Sequence, residues 1–406
     1  MRLQEILGKI DASRKDMTAD MTAMIRIPAI GPLNGGKGEG HRADKVMEFL
    51  KGFDSVERVD VKDIHDPTVM RPNILAVKKG KGNGTVWIIS HLDTVLPGDL
   101  DEWRTPPYEP TVKDGKIYGL GTEDNGQAII SSIYAAKFFE PGELTKRSIG
   151  LAIVADEETT SAMGIEHLIN TGHFSPDDVF VVPDWGVPGG TMVEVAEKHL
   201  VWLKFSIEGK QTHGSTPQKG LNAYRVSAKM LVDVLEKLEK KYPDSDHLFR
   251  PSASTFEPTK SIATVGNVNT IPGYHEFWLD IRLLPRYDPD DLVAYAKALG
   301  KEWEKRTDAK ITVVAEQRTR SGKPSNTKCP EFKALFDSIS SVIGKGPEVV
   351  GVGGGTCANF FRLAGYNAYV WQTGGGSLHQ PNEYCELDNL VTDAKVFATL
   401  FHKLCV

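Results

Sequence analysis

Two histidines and several carboxylates in the 406-residue sequence have types and spacings that suit metal chemistry. His91 and Asp93 close the apolar run "TVWIIS" with one residue between them. Side chains at i and i+2 of a strand point the same way, so an imidazole and a carboxylate placed there can meet, as a metal-ligating histidine and its orienting acid do. The same pair also reads as a polar strand end followed by a capped turn. Asp124 stands between the turn "GLGTE" and an apolar helical run, Asp156, Glu157 and Glu158 follow "LAIVA", Asp184 follows "VFVVP", and His379 lies in "GGGSLHQPNEY". Each has a plain structural alternative: a helix cap for Asp124, a solvated helix start for residues 156–158, a turn residue for Asp184, a loop histidine for His379. Taken together, two histidines and several carboxylates at strand ends are the ligand types that a pair of zinc or similar ions requires.

The elements that must position these residues follow from periodicity. Residues 1 to about 30 read as a helix, "GPLNGGKGEGHRADK" as a glycine-rich loop, and Val46–Lys51 as part of a second helix. Asn73–Val77 and Val86–Ser90 read as strands, "GQAIISSIYAAKFF" as a helix and "SIGLAIVAD" as a buried strand. This alternation indicates an α/β layer with a mostly parallel sheet, in which the carboxyl ends of the strands line one crevice. From residue 195 the order becomes strand, helix, strand, strand, helix, strand: "HLVWLKFSIEG", "NAYRVSAKMLVDVLEKLEKKY", "SIATVGNVN", "YHEFWLDIRLLP", "PDDLVAYAKALGKEWEKR" and "KITVVAEQ". That order is the mark of a ferredoxin-like α+β unit. The α/β style resumes at about 318 with a helix at Glu331–Ile343, a strand near Val349 and a helix from Leu387. The expected organisation is a domain of residues 1–194 and 318–406 with a second domain, 195–317, inserted into it.

Composition narrows the partners. With 40% hydrophobic and 25% charged residues and a formal net charge of −6, the chain has no electrostatic reason to bind nucleic acid or an anionic membrane. The charged, amphipathic N-terminus is unlike a signal peptide, and no apolar stretch approaches the roughly 18–20 residues of a membrane span. A cytoplasmic protein is expected. Cys329, Cys357, Cys385 and Cys405 lack paired metal spacing and read as reduced thiols.

"SHLDTVLPGD", "GLGTEDNG", "DEE", "VVPDWG", "GKQTHGSTPQKGLNA", "NVNTIPG", "LDIRLLP" and "GGGSLHQPNEY", in this order, resemble the acetylornithine deacetylase and succinyl-diaminopimelate desuccinylase family of dizinc amidohydrolases and carboxypeptidases. The resemblance spans about residue 15 to the C-terminus. It implies a zinc-peptidase-like catalytic domain with an inserted lid and dimerisation domain. His91 and Asp184 would hold one Zn2+, Glu158 and His379 the other, with Asp124 bridging both; Co2+ or Mn2+ are possible substitutes. Asp93 would orient His91, and Glu157 would be the general base. His213 would reach the oxyanion of the neighbouring subunit's substrate in a homodimer, and Asn269 and Arg282 would bind substrate. Without the resemblance, His213 reads as an exposed loop histidine, and Arg282 as a structural partner of Asp280 on the same strand face.

"VGGGTCANFF" departs from the family's Gly-Gly-Thr-Asp by placing Cys357 where the aspartate stands. Gly355 and Thr356 retain the N–H and hydroxyl donors for a substrate carboxylate. The expected function is metal-dependent hydrolysis of the amide bond of an N-acyl amino acid. The alternatives are a dipeptidase or carboxypeptidase on the same scaffold, a thiol hydrolase using Cys357, and a non-catalytic metal-dependent binding protein.

Overall fold

The computed structural model describes residues 2–140 and 142–406. The chain divides into two compact units. The first holds the described residues up to Val195 together with Pro324–Val349 and Thr356–Val406; the second is Ala196–Lys323 with Val350–Gly355. The second unit runs past the expected boundary at 317 because the strand Lys310–Thr319 keeps pairing as far as Thr319 opposite Leu200. Beyond it, Ser321 donates its N–H to His199 Nδ1 at 2.7 Å.

An eight-stranded mixed sheet organises the first unit, in the order Ser55–Lys62, Met70–Lys78, Ser148–Val154, Thr85–His91, Val179–Val187, Ala368–Thr373, Met192–Glu197 and Glu348–Val352. The four strands from Ser148–Val154 to Ala368–Thr373 are parallel, and antiparallel strands flank them. Such central strands are covered on both faces, which is why Thr85–His91 and Ser148–Val154 are apolar runs rather than alternating ones. The helix Gln127–Lys137 is buried along nearly its whole length and packs against the final helix, Leu387–Cys405. On one sheet face Phe174, Phe180, Phe361 and Tyr366 pack as an aromatic cluster, with Phe180 and Phe361 stacked at 4.0 Å between centroids.

Several expectations need correction. The N-terminal helix is two helices, Arg2–Ala12 and Arg14–Ile25. Asp184 is not at a strand end: Val179–Val187 continues beyond it. Opposite this strand, Val370 pairs with Val182 but Gln372 pairs with Gly186, so Pro183–Trp185 bulge out of the ladder. Pro183 has no N–H to give, and a bulge beside it re-aims the Asp184 side chain.

The second unit is a four-stranded antiparallel sheet, ordered Thr255–Ala263, Tyr274–Leu283, His199–Glu208, Lys310–Thr319, with helices Ala223–Lys241 and Pro289–Thr307. Its βαββαβ sequence with this spatial order is ferredoxin-like. Alternation along His199–Glu208 buries Val201, Leu203, Phe205 and Ile207 against Met230, Val234, Leu292 and Ala296. The edge strand begins at Thr255, and the expected strand residues 264–269 lie outside it. Among the described residues no helix is long and apolar enough to cross a membrane.

Candidate metal centre

Every residue of the expected ligand set belongs to the first unit. His91 is the last residue of its strand, and Glu157 and Glu158 follow the end of the neighbouring parallel strand Ser148–Val154. Asp124 sits in the irregular turn Thr122–Gly126, with backbone angles (φ −115°, ψ 93°) that break from helix just before Gln127–Lys137. His379 lies in the loop ahead of Leu387–Cys405, at φ +58°.

These elements bring the side chains together around Asp124. His91 Nε2 lies 2.8 Å from Asp124 Oδ1 and 3.2 Å from Asp184 Oδ1. His379 Nε2 lies 3.1 Å from Asp124 Oδ2 and 3.1 Å from Glu158 Oε2. The two oxygens of one carboxylate thus face two different imidazoles, and each imidazole faces one further carboxylate. His91, Asp124 and Glu158 form one group able to hold a metal ion, and His91, Glu157 and Asp184 another.

Asp93 fixes the site in two ways. Its carbonyl oxygen is 3.1 Å from His91 Nδ1, closer than its carboxylate at 3.5 Å. An Nδ1–H directed at that carbonyl leaves the Nε2 lone pair facing Asp124 and Asp184. The Asp93 carboxylate accepts the N–H groups of Glu157 at 3.1 Å and Glu158 at 3.0 Å, anchoring the acidic turn. A residue outside the expected set, Asn125, donates to Asp184 Oδ1 at 3.0 Å and to the Pro183 carbonyl at 2.8 Å. Its own carbonyl accepts the His91 N–H at 3.3 Å. The only sequence signal for it is adjacency to Asp124.

The electrostatics call for cations. Burial lowers the His91 pKa, but the Asp184 charge and hydrogen bonds to Asp124, Asp184 and Asp93 outweigh it and hold the pKa well above its usual value. Hydrogen bonds to Asp124 and Glu158 push His379 up to about 10. Burial, reinforced by the Asp124 charge, pushes Glu158 up to about 7; burial and Asp184 raise Glu157 well above the carboxylate range. Burial would raise Asp124 as well, but its hydrogen bonds to His379 and His91 lower it instead. Four carboxylates converge on two imidazoles, and hard carboxylate oxygens with imidazole nitrogens are a donor set for zinc-like divalent ions. The residues present therefore fit a pair of metal ions.

The Cys357 thiol is buried in the apolar cluster with Ala358 and Phe361. Burial, then the charges of Glu157 and Asp184, raise its pKa well above the ordinary thiol value, which opposes a nucleophilic role. Thr356 caps the helix Cys357–Leu363, its hydroxyl accepting the Ala358 N–H at 3.1 Å.

The other expected substrate residues, His213, Asn269, Arg282 and Gly355, belong to the second unit. His213 and Asn269 meet there: His213 pairs with Thr270 across a two-stranded ribbon, and Gly214 donates to the Asn269 carbonyl at 2.7 Å. His213 is exposed, its Nδ1 2.8 Å from Ser215 Oγ. Arg282 forks onto Asp280 at 2.7 and 3.1 Å and donates to the Gly353 carbonyl at 2.7 Å. Gly355 is exposed.

Known proteins resemble this chain over most of its length. Residues 87–403 match the model of peptidase family M20/M25/M40. An uncharacterized metallohydrolase of Methanocaldococcus jannaschii is 39% identical over 92% of this chain and 96% of its own. An acetylornithine deacetylase of Pectobacterium carotovorum is 25% identical over 94% of this chain and 96% of its own. Among solved structures, a di-peptidase from Saccharomyces cerevisiae superimposes with a TM-score of 0.78 at 18% identity, covering 100% of this chain and 99% of that one.

Proposed function

Because the chain belongs to peptidase family M20/M25/M40, we propose that it hydrolyses the amide bond of an N-acyl amino acid at a centre of two zinc ions. The observation that carries this reading is the placement of Asp124, whose two oxygens face His91 at 2.8 Å and His379 at 3.1 Å, as a carboxylate bridging two ions does. In the proposed assignment His91 and Asp184 hold one ion and Glu158 and His379 the other. Bound there, the ions supply Lewis acidity and a water of lowered pKa. Glu157 is the general base: it takes a proton from the water that adds to the amide carbonyl and returns it to the amine as the C–N bond breaks. Asp93 keeps Glu157 and His91 in register.

In the second unit, His213 is assigned to the oxyanion of a neighbouring subunit's substrate within a homodimer built on that unit. Asn269, Gly355 and Thr356 are assigned to substrate contacts. An Arg282 role in carboxylate binding requires it to exchange Asp280 for substrate. The free cysteines and the lack of a membrane-spanning helix among the described residues accord with a cytoplasmic setting. The likeness of the fold to a di-peptidase favours one second reading, cleavage of dipeptides at the same centre.

The test is turnover of a panel holding N-succinyl-diaminopimelate, N-acetylornithine, other N-acyl amino acids and dipeptides, before and after chelation and with zinc restored. Chelator-sensitive, zinc-rescued hydrolysis of acylated substrates is expected. Preference for dipeptides would select the second reading, and turnover indifferent to thorough chelation would remove the metal centre.

A further inference from the structure

Two glutamates beside the centre face none of the proposed metal positions, yet both are buried, Glu123 at 0% and Glu383 at 1% exposure. Glu383, four residues after His379, reaches the turn that carries Asp124. Its Oε2 accepts the Gly121 N–H at 2.8 Å, and its Oε1 accepts the N–H groups of Glu123 at 2.8 Å and of Asp124 itself at 2.9 Å. Glu123, immediately before Asp124, reaches the loop that carries His379. It accepts the N–H groups of Gly375, Gly376 at 2.9 Å and Ser377 at 2.8 Å, and the Ser377 hydroxyl. Each carboxylate thus closes over the main chain of the other's segment, across more than 250 residues of sequence. Glycines line it: a Cβ on Gly375 would meet the Tyr384 ring at 3.1 Å and Glu123 Oε2 at 3.4 Å, and Gly121 and Gly376 have φ of +87° and +79°.

Burying a carboxylate is costly unless donors surround it, and these donors are main-chain groups whose positions the carboxylates in turn hold. The His91 side of the centre has independent supports, its own strand in the parallel sheet and the Asn125 bonds to His91 and Asp184. The His379 side rests on a loop, and the crossed bonds tie that loop to Asp124.

We propose that Glu123 and Glu383 form a reciprocal clasp that sets the position of His379 relative to Asp124, and so selectively governs the ion held by Asp124, Glu158 and His379. This rests on the two-ion reading above. Both are positioning residues, acting on the ion through Asp124 and His379. A glutamine at either place offers one acceptor oxygen where two are in use and turns an amide N–H2 towards N–H donors, so the clasp loosens without gross loss of volume.

The experiment is titration of the metal-free full-length chain with Zn2+ by calorimetry, and with Co2+ by absorption, for the wild type, Glu123→Gln and Glu383→Gln. The expected wild type binds two ions per chain. Each variant is expected to keep the first at wild-type affinity and to weaken the second by about tenfold or more, the range for groups that orient metal ligands. A purely structural role would lower the melting temperature without splitting the two affinities. Should a glutamine variant not fold, Ser377→Ala, which removes one donor to Glu123, is expected to weaken the second ion by about threefold, a fraction of the full effect. Two ions bound at unchanged affinities in the variants would overturn the clasp and leave the two-ion centre standing. Equal weakening of both ions would overturn its selectivity, and a wild type that binds fewer than two ions would overturn both proposals.

Discussion

Arg71 donates through Nη1 to Asp156 at 3.3 Å, and Asp156 is the residue immediately before Glu157. The guanidinium is itself buried, held by Glu39 and by Asp63 at 2.8 Å. Asp156 also accepts the hydroxyls of Thr159 and Thr160 and the Met163 N–H. Its backbone is left-handed, at φ +67°. The turn that presents Glu157 and Glu158 is thus tied down by this ion cluster on one side and by Asp93 on the other.

Replacing Arg71 by methionine leaves Glu39, Asp63 and Asp156 buried without their shared cation. The expected loss is about 3–5 kcal/mol of folding stability, the scale for breaking a buried ion pair on one side, read by urea denaturation. Arg71→Lys is expected to recover only part, since an ammonium cannot fork onto Glu39 while holding Asp63 and Asp156.

Glu157→Gln keeps the volume and removes the base. Turnover is expected to fall by roughly 10²–10⁴-fold with two ions per chain retained. Metal analysis beside steady-state kinetics makes the check, and a variant of near wild-type kcat would take the base role from Glu157.

Asp124→Asn removes one of the two oxygens that face the imidazoles. Both ions are expected to bind more weakly, in contrast to the selective effect expected of the clasp variants, and metal content after dialysis separates the two patterns.

Cys357→Ser is expected to leave metal-dependent turnover within about threefold, because a buried thiol of raised pKa is a poor nucleophile. Loss of activity comparable to that of Glu157→Gln, with metal retained, would restore the thiol mechanism.

Metal uptake should release protons. In the metal-free protein His379 keeps its proton up to about pH 10 and Glu158 up to about pH 7, from ordinary values of 6.5 and 4.5. Cations must displace those protons, so apparent affinity for Zn2+ rises as pH is raised through this range. Both folded pKa values are raised, so the stability these groups contribute is fully present below their ordinary values and lost as pH climbs through about 7 and about 10. The chelated protein is therefore expected to melt at lower temperature near pH 9 than near pH 6, with a smaller difference for the zinc-loaded protein. Calorimetry with and without chelator reads both.

The chemistry-bearing residues were legible because few residue types can perform their roles. His91, Asp124, Glu157, Glu158, Asp184 and His379 stand in short motifs at or near strand ends, and the chain brings them together. Glu123 and Glu383 were not legible for the opposite reason: their partners are main-chain N–H groups, which nearly every residue possesses, so no pairing of side-chain types betrays them. Arg71 was hidden because its partners lie 8, 32 and 85 positions away.

Elements followed the same logic. Buried strands such as Thr85–His91 announce themselves as apolar runs, whereas the edge strands Ser55–Lys62 and Thr255–Ala263 are largely exposed and polar. Pro258 is tolerated on the second because an edge residue has one side free of the ladder, and it disguises the strand in the sequence. The bulge at Pro183–Trp185 depends on pairing with the distant strand Ala368–Thr373, which local pattern does not express.

The clasp and the centre share one topological property: both join residues 91–184 to residues 375–383 of the same chain. During synthesis the ribosome delivers His91, Asp124, Glu158 and Asp184 long before His379, with the whole ferredoxin-like insertion made in between. In the proposed assignment, the ion held by Asp124, Glu158 and His379 lacks one of its ligands throughout this interval. Under that assignment full loading waits for His379, six residues beyond Ala368–Thr373, the last strand of the parallel set to be made.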